Sequence, residues 1–108
     1  MTAAIVYVAT ADREQALSLG RTLVEERLAA CANVLYPMTS VYWWDGAVQS
    51  GEEAVLILKT RQELVAQVIE RVKALHTYEC PGVVSWPLEA GNAAYFAWID
   101  DETIAPPP

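Results

Sequence analysis

The stretch Thr39-Ser40-Val41-Tyr42-Trp43-Trp44-Asp45-Gly46-Ala47-Val48-Gln49 decides the fold. Two strand-forming runs, 39–44 and 47–59, meet at Asp45-Gly46. Asp-Gly between apolar runs is a strong hairpin signal, because a type I′ turn needs positive φ at both central residues. Side chains alternate along a strand, so Val41 and Trp43 point to one face, Tyr42 and Trp44 to the other. A ribbon with one wet face is apolar on one side only; this one is apolar on both. Burying an aromatic side chain stabilises by roughly 1.5–3 kcal/mol, so leaving one set in water is costly. Both faces need a cover. In a chain this small the expected cover is a second copy of the protein.

The 108 residues are enough for one domain with a core of its own, read as 1–104 followed by a frayed Pro-rich tail, 105–108. The hydrophobic fraction of 54% is slightly above the globular norm, which fits a buried subunit interface. No apolar run approaches the ~18 residues of a membrane span, so no membrane association is expected. The apolar start is short, lacks a basic flank and runs at once into Asp12-Arg13-Glu14; it does not read as a secretory leader, and the expected location is the cytoplasm. The net charge of −7, without any cluster of Lys or Arg, argues against nucleic acid as a partner, since phosphate binding needs a basic footprint. Cys31 and Cys80 form no C-x-x-C and read as separate thiols rather than a disulfide.

Around the hairpin the chain alternates in period. Residues 4–9 form a β-branched strand. Asp12 and Gln15 then make a capping box for a helix through about Leu28, with Ala16, Leu17, Gly20, Leu23, Val24 and Leu28 on its inner face. Strand 2 covers 32–44 with Pro37 inside it, and strand 3 carries the doubly buried run Val55-Leu56-Ile57-Leu58. Thr60 and Glu63 read as a second capping box, followed by a helix ending near His76; strand 4 covers 82–86, and Gly91-Asn92 opens a third helix. The order β-α-β-β-α-β is the split-βαβ, ferredoxin-like α+β arrangement with an appended C-terminal helix. Its strand order 4-1-3-2 places Pro37 and Pro87 on the two edge strands, where proline is tolerated. Strand 2 is about 40 Å long at ~3.3 Å per residue, against roughly 33 Å across a compact domain of this size. The hairpin should overhang its own domain, and its open edges invite pairing with a neighbour.

Five segments in register carry a family resemblance: Glu26-Arg27-Leu28-Ala29-Ala30-Cys31-Ala32-Asn33, Ser40-Val41-Tyr42-Trp43-Trp44-Asp45-Gly46, Leu58-Lys59-Thr60, His76-Thr77-Tyr78-Glu79-Cys80-Pro81, and Gly91 with Tyr95 and Trp98. Together they resemble the CutA divalent-cation tolerance family over nearly the whole chain. The resemblance implies a ferredoxin-like homotrimer joined by strand pairing of the long hairpins, with Tyr42, Trp43 and Trp44 at the interface. It also implies a role in divalent-metal tolerance, with copper or another divalent cation as a bound but not obligatory ion. The chain departs from the family pattern at Thr77, where proline is usual, at Gly82, where glutamate is common, and at Ala9, where some relatives have cysteine. These departures thin the set of metal donors.

Each candidate residue has two readings. His76, the only histidine, is either an imidazole ligand or a helix C-terminal residue serving the last carbonyls. Cys31 is either a thiolate ligand suited to copper or zinc, or a buried structural thiol. Glu79 is a carboxylate ligand or surface charge. Lys59 either holds an anion in a cleft with Tyr78 and Trp98, or snorkels to solvent. Tyr95 and Trp98, one helical turn apart, read as packing at the rim of an interface. No nucleophile–base set, phosphate loop or zinc motif is present, so a binding protein is expected rather than an enzyme. The rival functions are a trimeric small-molecule sensor with ligand clefts between subunits, and a scaffolding trimer.

Overall fold

The computed structural model describes residues 2–104; the 105–108 tail expected to fray lies outside the described residues. The elements are β1 (Ala3–Thr10), α1 (Arg13–Glu25), β2 (Cys31–Trp44), β3 (Ala47–Arg61), a 3-10 turn (Gln62–Leu64), α2 (Val65–Leu75), β4 (Val83–Pro87) and α3 (Ala93–Glu102). The four strands make one antiparallel sheet in the order β2-β3-β1-β4. This is the ferredoxin-like α+β topology, with Pro37 and Pro87 on its edge strands.

The local signals explain most boundaries. At the start of α1 the Asp12 carboxylate accepts the Gln15 N–H at 2.8 Å, and the Gln15 side-chain oxygen reaches back to the Ala11 N–H at 2.8 Å. The helix ends at Glu25, earlier than its periodicity implies. Arg27 enters the left-handed region (φ 62). Its N–H bonds the Val24 carbonyl, and the Leu28 N–H bonds that of Leu23, both at 3.0 Å. That is a Schellman closure made without glycine. The Arg27 guanidinium also reaches the Glu102 carboxylate at 2.8 Å, tying the turn to α3. The second capping box does not form. β3 runs on to Arg61, opposite Ala3, so Thr60 belongs to the sheet and donates to the Leu28 carbonyl at 2.7 Å.

Helices α1 and α2 cover one face of the sheet. Val6, Val8, Leu56 and Leu58 meet Ala16, Leu19, Leu23, Val68 and Val72 there, all buried. Leu17, expected on the inner face of α1, is exposed. Gly20 permits the closest approach of α1: a Cβ on it would lie 2.8 Å from the Ala32 Cβ and 3.0 Å from Leu56 Cδ1. The opposite face carries Ile5, Tyr7, Ile57, Leu35, Val84 and Trp86, which share it by register. Only its far end is covered, where Ile99 of α3 packs with Ala3 and Ala30, and Arg61 pairs with Asp100 at 3.0 Å.

The hairpin turns at Asp45 (φ 53) and Gly46 (φ 76), the two positive values a type I′ turn requires. Its length sets the long axis of the molecule, 44 Å against 26 and 23 Å. Between Leu35 and Met38 two residues of β2, Tyr36 and Pro37, face one of β3: a β-bulge. The extra residue reverses the alternation. Tyr42 and Trp44 consequently share the helix-free face with Leu35, and Val41 and Trp43 share the other.

Gly20→Val is expected to lower unfolding free energy by about 2 kcal/mol, since the added volume meets a rigid Ala32 on β2. Urea denaturation checks this; unchanged stability would mean that α1 can shift away from the sheet.

Candidate functional site

The sequence candidates fall into two clusters at opposite ends of the helix-free face. At the α3 end, Cys31 is the register partner of Lys59. Lys59 Nζ donates to Tyr95 Oη at 3.1 Å and sits 5.3 Å from the centre of that ring. The Cys31 thiol lies 3.8 Å from the same hydroxyl and 4.0 Å from Asn33 Oδ1, and Trp98 stacks on Tyr95. The Tyr95 hydrogen bond, opposed by partial burial, holds the Lys59 ammonium above its ordinary pKa. Lys59 therefore turns onto Tyr95 rather than simply running out to solvent. Tyr95, read from the sequence as rim packing, is the hub of this cluster.

At the hairpin end, His76 caps α2 and is buried. Its Nδ1 accepts the Tyr78 N–H at 3.0 Å, which leaves the proton on Nε2 to donate to the Ala9 carbonyl at 2.7 Å. Both nitrogens are thus engaged, Nε2 across to β1 and Nδ1 on the following segment, rather than on the last turn of α2. The histidine pins the 77–82 segment to the sheet, and no lone pair is left for a metal in this arrangement. Beside it Tyr78 Oη donates to Glu53 Oε2 at 2.7 Å. A cavity of about 380 Å³ opens there, lined by Ala9, Tyr42, Trp44, Glu53, Tyr78, Glu79, Cys80 and Gly82.

Within one chain the candidate residues divide between these two clusters. Cys31 and His76 do not meet. Cys31 stands on the row of Lys59 and Ile5, whereas His76 bonds Ala9, about 13 Å further along β1 at ~3.3 Å per residue. The cleft set of Lys59, Tyr78 and Trp98 divides likewise, with Lys59 and Trp98 joined through Tyr95 and Tyr78 in the other cluster. Among the described residues no three His, Cys, Asp or Glu side chains gather to hold a metal ion. Glu53 was missed; the available signal was a charged strand residue that pairs, past the bulge, onto the face of Tyr42.

Tyr78 has the strongest titration consequence. Burial first, then the hydrogen bond and charge of Glu53, raise its pKa well above the ordinary 10.0. A phenol that holds its proton more tightly when folded contributes stability that is complete below pH 10.0 and is lost as pH rises toward the folded value. Urea midpoints should therefore fall above pH 10.0 in the wild type, and less steeply in Tyr78→Phe. Equal slopes in the two proteins would show that the phenol is not held protonated by the fold.

The chain matches the family model described as CutA1 divalent ion tolerance protein over residues 4–102. It is 39% identical over 99 residues to the divalent-cation tolerance protein CutA of Thermus thermophilus, covering 92% of this chain and 96% of that protein. It is 40% identical over 99 residues to the chloroplastic protein CutA 1 of Oryza sativa subsp. japonica, covering 92% of this chain but 56% of the rice protein. Against the chloroplastic CutA of Arabidopsis thaliana, which is 41% identical over 99 residues and matched over 92% of this chain, the share is 54% of that protein; the chain spans about half the length of both plant relatives. The crystal structure of CutA1 from Oryza sativa superposes with a TM-score of 0.93 at 38% identity, covering 96% of this chain and 95% of that one. With the fold, the long hairpin and the sequence in agreement over nearly its whole length, the chain belongs to the CutA1 divalent ion tolerance protein family.

Proposed function

We propose that the protein is a cytoplasmic homotrimer that acts in divalent-cation tolerance by binding rather than by catalysis. The observation that carries the assembly is the uncovered apolar surface. Trp43 is 75% exposed and Val41 69%, while Leu35, Val84 and Trp86 lie open on the sheet face that α3 covers only at its far end. Soluble monomers rarely leave so many large apolar side chains in water on two faces at once. The edge of β2 beyond the bulge offers unpaired backbone groups to a neighbour's strand. The uncovered hairpin would thereby gain the packing that an isolated ribbon lacks. Tyr42, Trp43 and Trp44 supply the aromatic part of that contact.

Cation tolerance is the role named for the family, and thiolates suit copper. Within one chain the expected ligands do not fit a closed copper site, because His76 is fully engaged and Cys31, Glu79 and Cys80 do not converge with it. Of the two expected ligands Cys31 and His76, only the half-buried Cys31 thiol stays available, since its contacts are long and weak. Copper binding in the proposed assembly therefore depends on Cys31 and not on His76.

Light scattering should give three times the chain mass for the wild type. Trp43→Asp places an unpaired charge in the contact and should give a monomer or a misfolded chain. A stable wild-type monomer would overturn the assembly. In copper titrations, Cys31→Ser should weaken binding. His76→Ala should leave it unchanged while costing about 1–3 kcal/mol in stability, through the unpaired Ala9 carbonyl and Tyr78 amide. Unaltered copper affinity in Cys31→Ser would remove copper from the account.

A further inference from the structure

The segment that joins α2 to β4 is held down chiefly through one buried side chain, His76. Its two ring nitrogens bond backbone groups only: Nδ1 accepts the Tyr78 N–H at 3.0 Å, and Nε2 meets the Ala9 carbonyl at 2.7 Å. An amide N–H can only donate and a carbonyl can only accept. The two contacts together therefore require the neutral ring with its proton on Nε2. The imidazolium has two N–H donors and no acceptor. It keeps the Ala9 carbonyl, but at Nδ1 it sets one N–H against another. The hydrogen bonds that tie the rest of the segment to α1, β3 and β1 are Gln15 Nε2 to Thr77 Oγ1 at 2.6 Å, Tyr78 Oη to Glu53 Oε2 at 2.7 Å, and the Ala9 N–H to the Gly82 carbonyl at 3.0 Å.

We infer that His76 is an acid-sensitive latch: a second proton, on Nδ1, removes the acceptor of the Tyr78 N–H and releases 77–81 from the sheet, while Nε2 stays on the Ala9 carbonyl. Histidine is the side chain whose ordinary charge change falls between pH 5 and 8. On its own segment the titratable neighbours are Tyr78, Glu79 and Cys80, and on the last turn of α2 Lys73, which pairs with Glu70 at 3.4 Å. From α1 comes Asp12, engaged as the helix cap, from β3 Glu53, and beyond Tyr78 the Tyr42 phenol of β2. β4 carries no titratable side chain, and that of β1, Tyr7, bonds Met38. None of these groups bonds a ring nitrogen, so none takes up the extra N–H in place of the lost contact. The imidazole and Tyr78 rings lie 4.6 Å apart at 56°. A charged imidazole keeps that attraction, which steadies the phenol ring but supplies no acceptor to the amide. Thr77, Glu79 and Cys80 are exposed, so a small rotation of the segment brings the freed amide to water. That is a lesser adjustment than pulling His76 out of the fold. The released segment borders Tyr42 and Trp44, yet the latch itself needs neither a second copy nor a metal.

Amide hydrogen exchange of the full chain, followed by NMR at pH 7.5 and 5.5 and corrected for the intrinsic rate at each pH, reads the latch. Protection of the Tyr78 amide should fall roughly fivefold at the lower pH, about the factor that one lost hydrogen bond represents. Protection of Val6, laddered on both sides within β1, should hold. His76→Gln offers one acceptor and one donor but takes no second proton, so its Tyr78 amide should be equally protected at both pH values. If that variant does not fold, the imidazole nitrogen shifts of the wild type decide. They should report the Nε2–H tautomer at pH 7.5 and a doubly protonated ring where Tyr78 loses protection. Light scattering on the same samples reads assembly separately, so a monomeric wild type would sink the trimer and leave this test standing. Unchanged Tyr78 protection in the wild type, an equal loss at Val6, the same loss in His76→Gln, or a ring that stays neutral while Tyr78 opens would overturn the proposal.

Discussion

Everything else in the molecule depends on the double pairing of β1. It is laddered to β3 along its whole length, from Ala3↔Arg61 to Thr10↔Ala54, and to β4 from Ala4↔Pro87 to Val8↔Val83. This places Ala4, Val6 and Val8 under both helices and removes them from water. It also brings the ends of distant segments together. The Ala9 carbonyl receives the His76 imidazole, and the Ala9 N–H donates to the Gly82 carbonyl at 3.0 Å. The hairpin-end cavity is therefore a by-product of where β1 stops and what must be tied down beside it.

A two-layer fold with helices on one side has an inherent deficit. A sheet this apolar on both faces buries only one of them within the chain. α3 covers the end near Lys59 and Arg61, using Ile99 and the Arg61–Asp100 pair, and leaves the centre bare. The bulge between Leu35 and Met38 matters here, because it brings Tyr42 and Trp44 onto the same open face and sends Trp43 to the other. The ribbon thus presents aromatic surface in two directions, one toward the 77–82 segment and one outward.

His76 shows how a residue's identity misleads when its partners are far off in sequence. A lone histidine next to a cysteine and a glutamate invites a metal reading, and the burial that makes it look special serves a different end. It satisfies a carbonyl on β1 and an amide two residues on, so removing it opens two hydrogen bonds rather than a ligand shell. Cys31 and Lys59, by contrast, are neighbours by strand register, a relation legible once the pairing of β2 with β3 is fixed.

The element order, the edge positions of the two prolines, the Asp45-Gly46 turn, the overhanging hairpin and the aromatic character of both its faces are legible along the chain. These follow from alternation, turn chemistry and length, all of which are local or additive along the chain. Where α1 stops is settled by long-range contacts, because Arg27 takes a left-handed conformation that glycine normally signals and is held there partly by Glu102 of α3. The same holds for Thr60, which belongs to a strand rather than a cap because Ala4 across the ladder claims its backbone. The division of the candidate residues into two clusters was also invisible in one dimension. Cys31 and His76 both adjoin helix ends, but the sheet sets those ends at opposite limits of β1, and strand register rather than sequence spacing fixes which side chains meet.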